Sequence, residues 1–160
     1  MRPEMAPLAA QARLHRRLFA NVLDGLDDRT AQRRVGDTTN HVAFLAAHLT
    51  EAREFLLETL GGDKRDPFPE LGQGEGIDDF DQWPTLERIR AAWEDVSERL
   101  EARLPQVESA DLERPREQPG TVEPPTAGGF AAFLLHHEAY HLGQIALLRK
   151  HWGLPAMRYD

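Results

Sequence analysis

The sequence predicts an all-α protein, a four-helix bundle. Four segments repeat apolar residues at spacings of three and four. No segment alternates apolar and polar residues as a half-buried strand would. Four amphipathic helices have to bury their stripes against one another, and a bundle does this with the fewest additional elements.

The first helix is expected over residues 6–26. Leu8, Gln11, Ala12, His15, Leu18, Phe19, Val22, Leu23 and Leu26 share one face, and Gly25 with the polar run "DDRTAQRRVGD" ends it. The second is expected over 38–60, starting at Thr38 or Thr39, either of which can cap a helix. Its face is His41, Phe44, Leu45, His48, Leu49, Ala52, Phe55 and Leu56, and Gly61 and Gly62 suit its C-terminal stop. The third, over 84–104, opens at Pro84 and Thr85 with proline suited to a first turn. Leu86, Ile89, Trp93, Val96, Leu100 and either Arg103 or Leu104 follow, before Pro105 closes it. The fourth, over 129–152, has Phe130, Phe133, Leu134, His137, His141, Gln144, Ile145 and Leu148 on one face, and Gly153 and Pro155 end it.

Two long connections remain. Gly61 to Trp83 is acidic with glycine and proline, and Pro105 to Ala127 holds five prolines. Connections of this length are functional or mobile more often than structural. At 160 residues the chain is expected to be one domain, residues 1–160. A net charge of −8 argues against a nucleic-acid partner. There is no cysteine, which removes disulfides, thiolate metal sites and a cysteine nucleophile. No run approaches the roughly 18 apolar residues of a membrane span, and the first residues lack the apolar core of a signal peptide. A cytoplasmic protein with no membrane partner is expected.

The stretch "HHEAYHLGQI" carries the chemistry. His137 and His141 are spaced i, i+4 and so lie one turn apart on one helical face, amid apolar residues. His48 sits within the stripe of the second helix. Burying an unpartnered polar group costs about 1–3 kcal/mol, so three imidazoles in one core need compensation. A divalent metal supplies it, and two ligands at i, i+4 with a third from elsewhere leave a coordination position open. The alternative at each position is a core histidine hydrogen-bonded to a carbonyl or carboxylate. His136 lies about 100° around the helix from His137 and falls outside such a site. His15 and His41 are substitutes in a different register, and otherwise packing or capping residues. His151 suits the negative end of the last helix. Gln144 is a candidate to hydrogen-bond a ligand or substrate. Glu51 reads as a solvated residue rather than one orienting a ligand, and Tyr140 and Trp93 as core or core-rim residues.

"HHEAYHLGQIALLRKHWGLP" resembles the last helix of the DinB-like (DinB/YfiT) superfamily. The hallmark H-x-x-x-H, then G-Q, then L-R falls on His137, His141, Gly143, Gln144 and Leu148–Arg149. "NHVAFLAAHLTEAREFLLETLG" is similar to that family's second helix, in which an inward histidine, here His48, supplies another ligand. "PTLERIRAAWEDVSERLEARL" is similar to its third helix in a generic way. The resemblance implies an up-down-down-up four-helix bundle, a divalent metal on His48, His137 and His141, and a homodimer. Imidazole donors, rather than the resemblance, point to zinc or nickel as the metal, with iron or manganese as alternatives. The resemblance also implies a small-molecule substrate and, through relatives that use bacillithiol or mycothiol, a low-molecular-weight thiol.

Three functions are open at this point. The first is a metal-dependent enzyme, a transferase that moves sulfur from a thiol, or a hydrolase. Its metal ligands would be the three histidines, its rim the two long connections, and Gln144 its candidate positioning residue. The second is a non-catalytic, stress-associated metal-binding protein. The third is a structural bundle with core histidines.

Overall fold

The computed structural model describes residues 2–71, 76–80, 82–116, 122–123 and 125–159. The described residues are helical with no strand, as expected. The two residues nearest to sheet geometry are Pro115 and Thr126, which form an isolated bridge. Four long helices dominate: α1 (Ala6–Leu23), α2 (Val42–Thr59), α3 (Leu86–Arg103) and α4 (Ala127–His151). Short helices at Asp28–Ala31 and Ser109–Glu113 lie in stretches expected to be connections.

Local chemistry sets the boundaries. Thr85 and Thr126 cap α3 and α4, accepting from the backbone N–H of Arg88 at 3.3 Å and of Gly129 at 3.2 Å. Helix α2 begins later than expected. Its cap is the His41 imidazole, whose Nδ1 accepts from Phe44 N–H at 2.9 Å. Thr39 instead ties down the preceding turn, its hydroxyl accepting from Val35 N–H and donating to Val35 O, both at 2.8 Å. Helix α1 stops at Leu23, before Gly25 takes up φ 73°, a conformation that glycine adopts without steric cost.

Helix α1 packs against α3 and α4, and α2 packs against the same two helices. Their ends are tied by arginines. Arg149, at the end of α4, donates to the carbonyls of Val22 at 2.6 Å, Asn21 at 3.0 Å and Asp24 at 3.1 Å. Arg103, at the end of α3, donates to Leu60 O at 2.7 Å, just beyond α2.

The core has two apolar regions. One holds Phe19, Leu45, Leu49, Trp93 and Ile145; the other holds Met5, Leu56, Leu57, Leu100 and Leu135. Trp93 is buried and stacks on Phe19 with ring centres 4.0 Å apart. Between the two regions, on every long helix, lies a buried polar residue: His15, Arg53, Ser97 and Glu138. Arg53 Nε and Nη2 grip the Glu138 carboxylate at 2.9 and 2.7 Å, and its Nη1 donates to Ser97 Oγ at 2.7 Å. Arg53 Nη2 also donates to Ala12 O at 3.2 Å, the guanidinium lies 3.8 Å from the Trp93 ring centre, and His15 Nδ1 is 2.9 Å from Glu138 Oε2.

This network rotates α4 relative to the expected stripe. Its buried line runs through Ala131, Leu135, Glu138, Leu142 and Ile145. Phe130, Phe133, His137, His141 and Gln144 flank that line and are half-buried. The reason is electrostatic: Glu138 has its cationic partner inside the core, so it turns inward and the histidines turn to the margin facing α2. Tyr140, expected at the core or its rim, is exposed on the far flank of α4 for the same reason.

Candidate metal centre

His48 comes from the middle of α2, and His137 and His141 from successive turns of α4. Both segments are regular helix, so the donors are placed by rigid backbone rather than by loops. His48 Nε2 lies 2.8 Å from His137 Nε2. The His141 ring packs edge-on against both, with centres 5.1 Å from His48 and 4.3 Å from His137. One nitrogen from each of the three rings can be chosen so that all lie within 4.8 Å of one another. Zinc–imidazole bonds are about 2.0–2.1 Å long, so donors on one ion lie no more than about 4.2 Å apart, and the three rings come together on that scale. The cluster could hold a metal ion.

Gln144 bears directly on the cluster. Its Oε1 is 2.6 Å from His141 Nδ1, and its Nε2 donates to the Tyr140 hydroxyl at 3.3 Å. An amide oxygen only accepts, so Nδ1 carries the proton and His141 Nε2 keeps its lone pair. Phe44 stacks on His48 with 6.0 Å between ring centres, and Phe133 on His137 at the same separation. Burial pushes the His48 pKa down to about 4, helped by His137 and His141. Burial also lowers His137, with His141 adding to it, and lowers His141 against the opposing Gln144 hydrogen bond. The three rings are therefore neutral at neutral pH, the state in which imidazole binds metals.

The remaining histidines fall elsewhere. His136 is exposed and His151 is exposed in the last turn of α4, both as expected. His41 caps α2 and His15 packs on Glu138, so neither joins the cluster. Glu51, expected on a solvated face, is half-buried and lines a cavity beside His48. Burial raises its pKa, with Asp66 adding to the effect and Lys64 opposing it. The Arg53–Glu138 pair beneath the site was not anticipated. The available signal was the spacing of Leu134, Glu138 and Leu142, which puts an acid in an i, i+4 apolar row. Among the described residues, no helix is long and apolar enough to cross a membrane.

An all-helical protein whose long helices bring three neutral imidazoles together from two directions has the features of a metal-binding helical protein. The chain belongs to the DinB superfamily, which it matches over residues 11–145. That span contains all three histidines of the cluster. The comparison with curated proteins gave no match.

Proposed function

We propose that this chain is a metal-dependent enzyme of the DinB superfamily, with His48, His137 and His141 holding one divalent metal for thiol-dependent S-transfer or hydrolysis on a small molecule. The observation that carries the reading is the set of three imidazole donors within 4.8 Å on two rigid helices. Zinc or nickel fits an all-imidazole donor set best, ahead of iron or manganese. When bound, such an ion supplies Lewis acidity that lowers the pKa of a water or a thiol toward neutrality.

The protein's own residues do the rest. Gln144 holds the proton on His141 Nδ1 and so aims Nε2 into the cluster. Phe44 stacks on His48 and Phe133 on His137, which helps to fix the orientation of both rings. With no cysteine in the chain, a sulfur nucleophile has to come from a low-molecular-weight thiol such as bacillithiol or mycothiol.

The proposal extends to the assembly. The helices form one up-down-down-up bundle, supported by Arg149 reaching from the end of α4 to the end of α1, and by Arg103 reaching from the end of α3 to the end of α2. Tyr140 and Leu147 are 59% and 70% exposed on α4, which supports a homodimer through this helix.

The test is elemental analysis of the purified protein, followed by cobalt substitution and titration with each thiol. The expected result is one metal per chain, a thiol-dependent change in the cobalt spectrum, and conjugation of thiol to a model electrophile above the metal-free control. Metal without turnover, including hydrolytic turnover, would leave the non-catalytic metal-binding function. Absence of metal would leave the histidines as core residues.

A further inference from the structure

Beside the histidine cluster, between α2 and α4, is a cavity of about 260 Å³. His48 and His137 form part of its wall. The rest is Ala52, Phe55, Phe130, Phe133 and Leu134, with one acid, Glu51. Phe130 and Phe133 stack with ring centres 5.8 Å apart, and Phe133 stacks in turn on His137 at 6.0 Å. An unbroken aromatic track therefore leads along the cavity to the cluster. Phe55 is 46% exposed on the same concave surface. Grouped apolar exposure in a concavity marks a binding site more than scattered exposure does.

The long connections fix these rings. Lys64 Nζ lies 3.4 Å from the centre of the Phe55 ring, and the Arg116 guanidinium 3.3 Å from that of Phe130. Each cation engages one face of its ring, which holds the aromatic wall in place before a ligand arrives.

Size and lining narrow the occupant. An apolar cavity of about 150 Å³ takes benzene, and drug-sized ligands fill roughly 300–1,000 Å³. The 260 Å³ here suits one substituted ring. The lining is apolar apart from the two imidazoles and Glu51, so the walls contact a ring, and the polar end of a ligand falls on the histidine side.

We propose that this cavity is a substrate subsite, which binds a molecule carrying one apolar, aromatic-sized ring and presents its reactive end to His48 and His137. It rests on the reading of the histidine cluster as the centre of a metal-dependent enzyme, and it assigns that enzyme its substrate class.

The experiment is ligand-observed NMR on the full chain, metal-free and zinc-loaded in parallel, with benzyl alcohol and, as a control without a ring, ethanol as probes. Benzyl alcohol should bind, and ethanol should bind about tenfold more weakly or worse. Phe55→Ala alters a half-exposed ring and spares the core, so it should fold and weaken benzyl alcohol about fivefold. Ala52→Phe should fill the cavity and abolish binding; if that variant does not fold, Phe55→Ala decides alone. No binding of benzyl alcohol, binding indifferent to Phe55→Ala, or ethanol binding as well as benzyl alcohol would overturn the subsite. Ring binding by a protein that takes up no metal would keep the subsite and remove the metal reading. Metal uptake without ring binding would do the reverse.

Discussion

Individual side chains decide what this site can bind. His48 and His137 already point Nε2 at Nε2 across 2.8 Å, a distance that one shared proton satisfies and that a metal would reopen. Each of His48→Ala, His137→Ala and His141→Ala should lose most of the bound metal, while the exposed His136→Ala should keep it, as read by metal stoichiometry after dialysis. Full retention in the His137→Ala/His141→Ala double variant would remove the assignment. Gln144→Ala should lower metal affinity about 10–100-fold by releasing His141. His137 and His141 were legible in the sequence because i, i+4 spacing survives any rotation of the helix about its axis, and His48 because it sits in the apolar stripe of α2. Arg53 and Glu138 were not legible, because a charge inside a stripe looks like a solvated flank until its partner on another helix is known.

At the level of the helices, the long periodic segments were predictable and their ends less so. The stripe Leu86, Ile89, Trp93, Val96, Leu100 is buried as read, and Thr85 caps it. The start of α2 differed because an imidazole can accept a hydrogen bond as a threonine hydroxyl does, and His41 is the one in register. That cap is pH-sensitive, since Nδ1 accepts only when unprotonated. Burial pushes the His41 pKa down to about 4, with Arg34 lowering it further and its own backbone hydrogen bond and Asp78 opposing. The unfolded chain, with an ordinary value of 6.5, therefore takes up the proton first as pH falls. The cap's contribution is complete above 6.5 and lost progressively toward pH 4. His41→Ala should cost about 1 kcal/mol at neutral pH. It should also flatten this part of the stability–pH curve, measured by urea unfolding of the metal-free protein. A slope that is unchanged in the variant would place the effect elsewhere.

Across the whole molecule, the buried ionic group dominates. Burial works to raise the Glu138 pKa, but the Arg53 charge and its hydrogen bonds, with help from His15, outweigh it and hold the carboxylate below its usual range. Its stabilisation is present above the ordinary carboxylate value and lost as pH falls through the lowered one. Breaking one side of such a pair strands a buried charge. Glu138→Gln should cost about 3–5 kcal/mol, whereas the apolar double replacement Arg53→Met/Glu138→Leu should recover much of that loss. Urea midpoints of Glu138→Gln, Arg53→Met and the double variant measure this, and additive losses in the double variant would show that the pair does not act as a unit.

That ionic group also bears on how the molecule comes apart. Arg53 sits on α2, takes its counter-charge from α4, hydrogen-bonds a hydroxyl on α3 and a carbonyl on α1, and covers a tryptophan on α3. A partly assembled form without α4 would enclose a guanidinium with no carboxylate, and one without α2 would enclose the carboxylate without its guanidinium. Either costs several kilocalories, so such half-built species are scarcely populated. Concerted folding across the four helices is the expected outcome, and hydrogen exchange checks it: amide hydrogens in the centres of α2 and α4 should exchange through the same global opening.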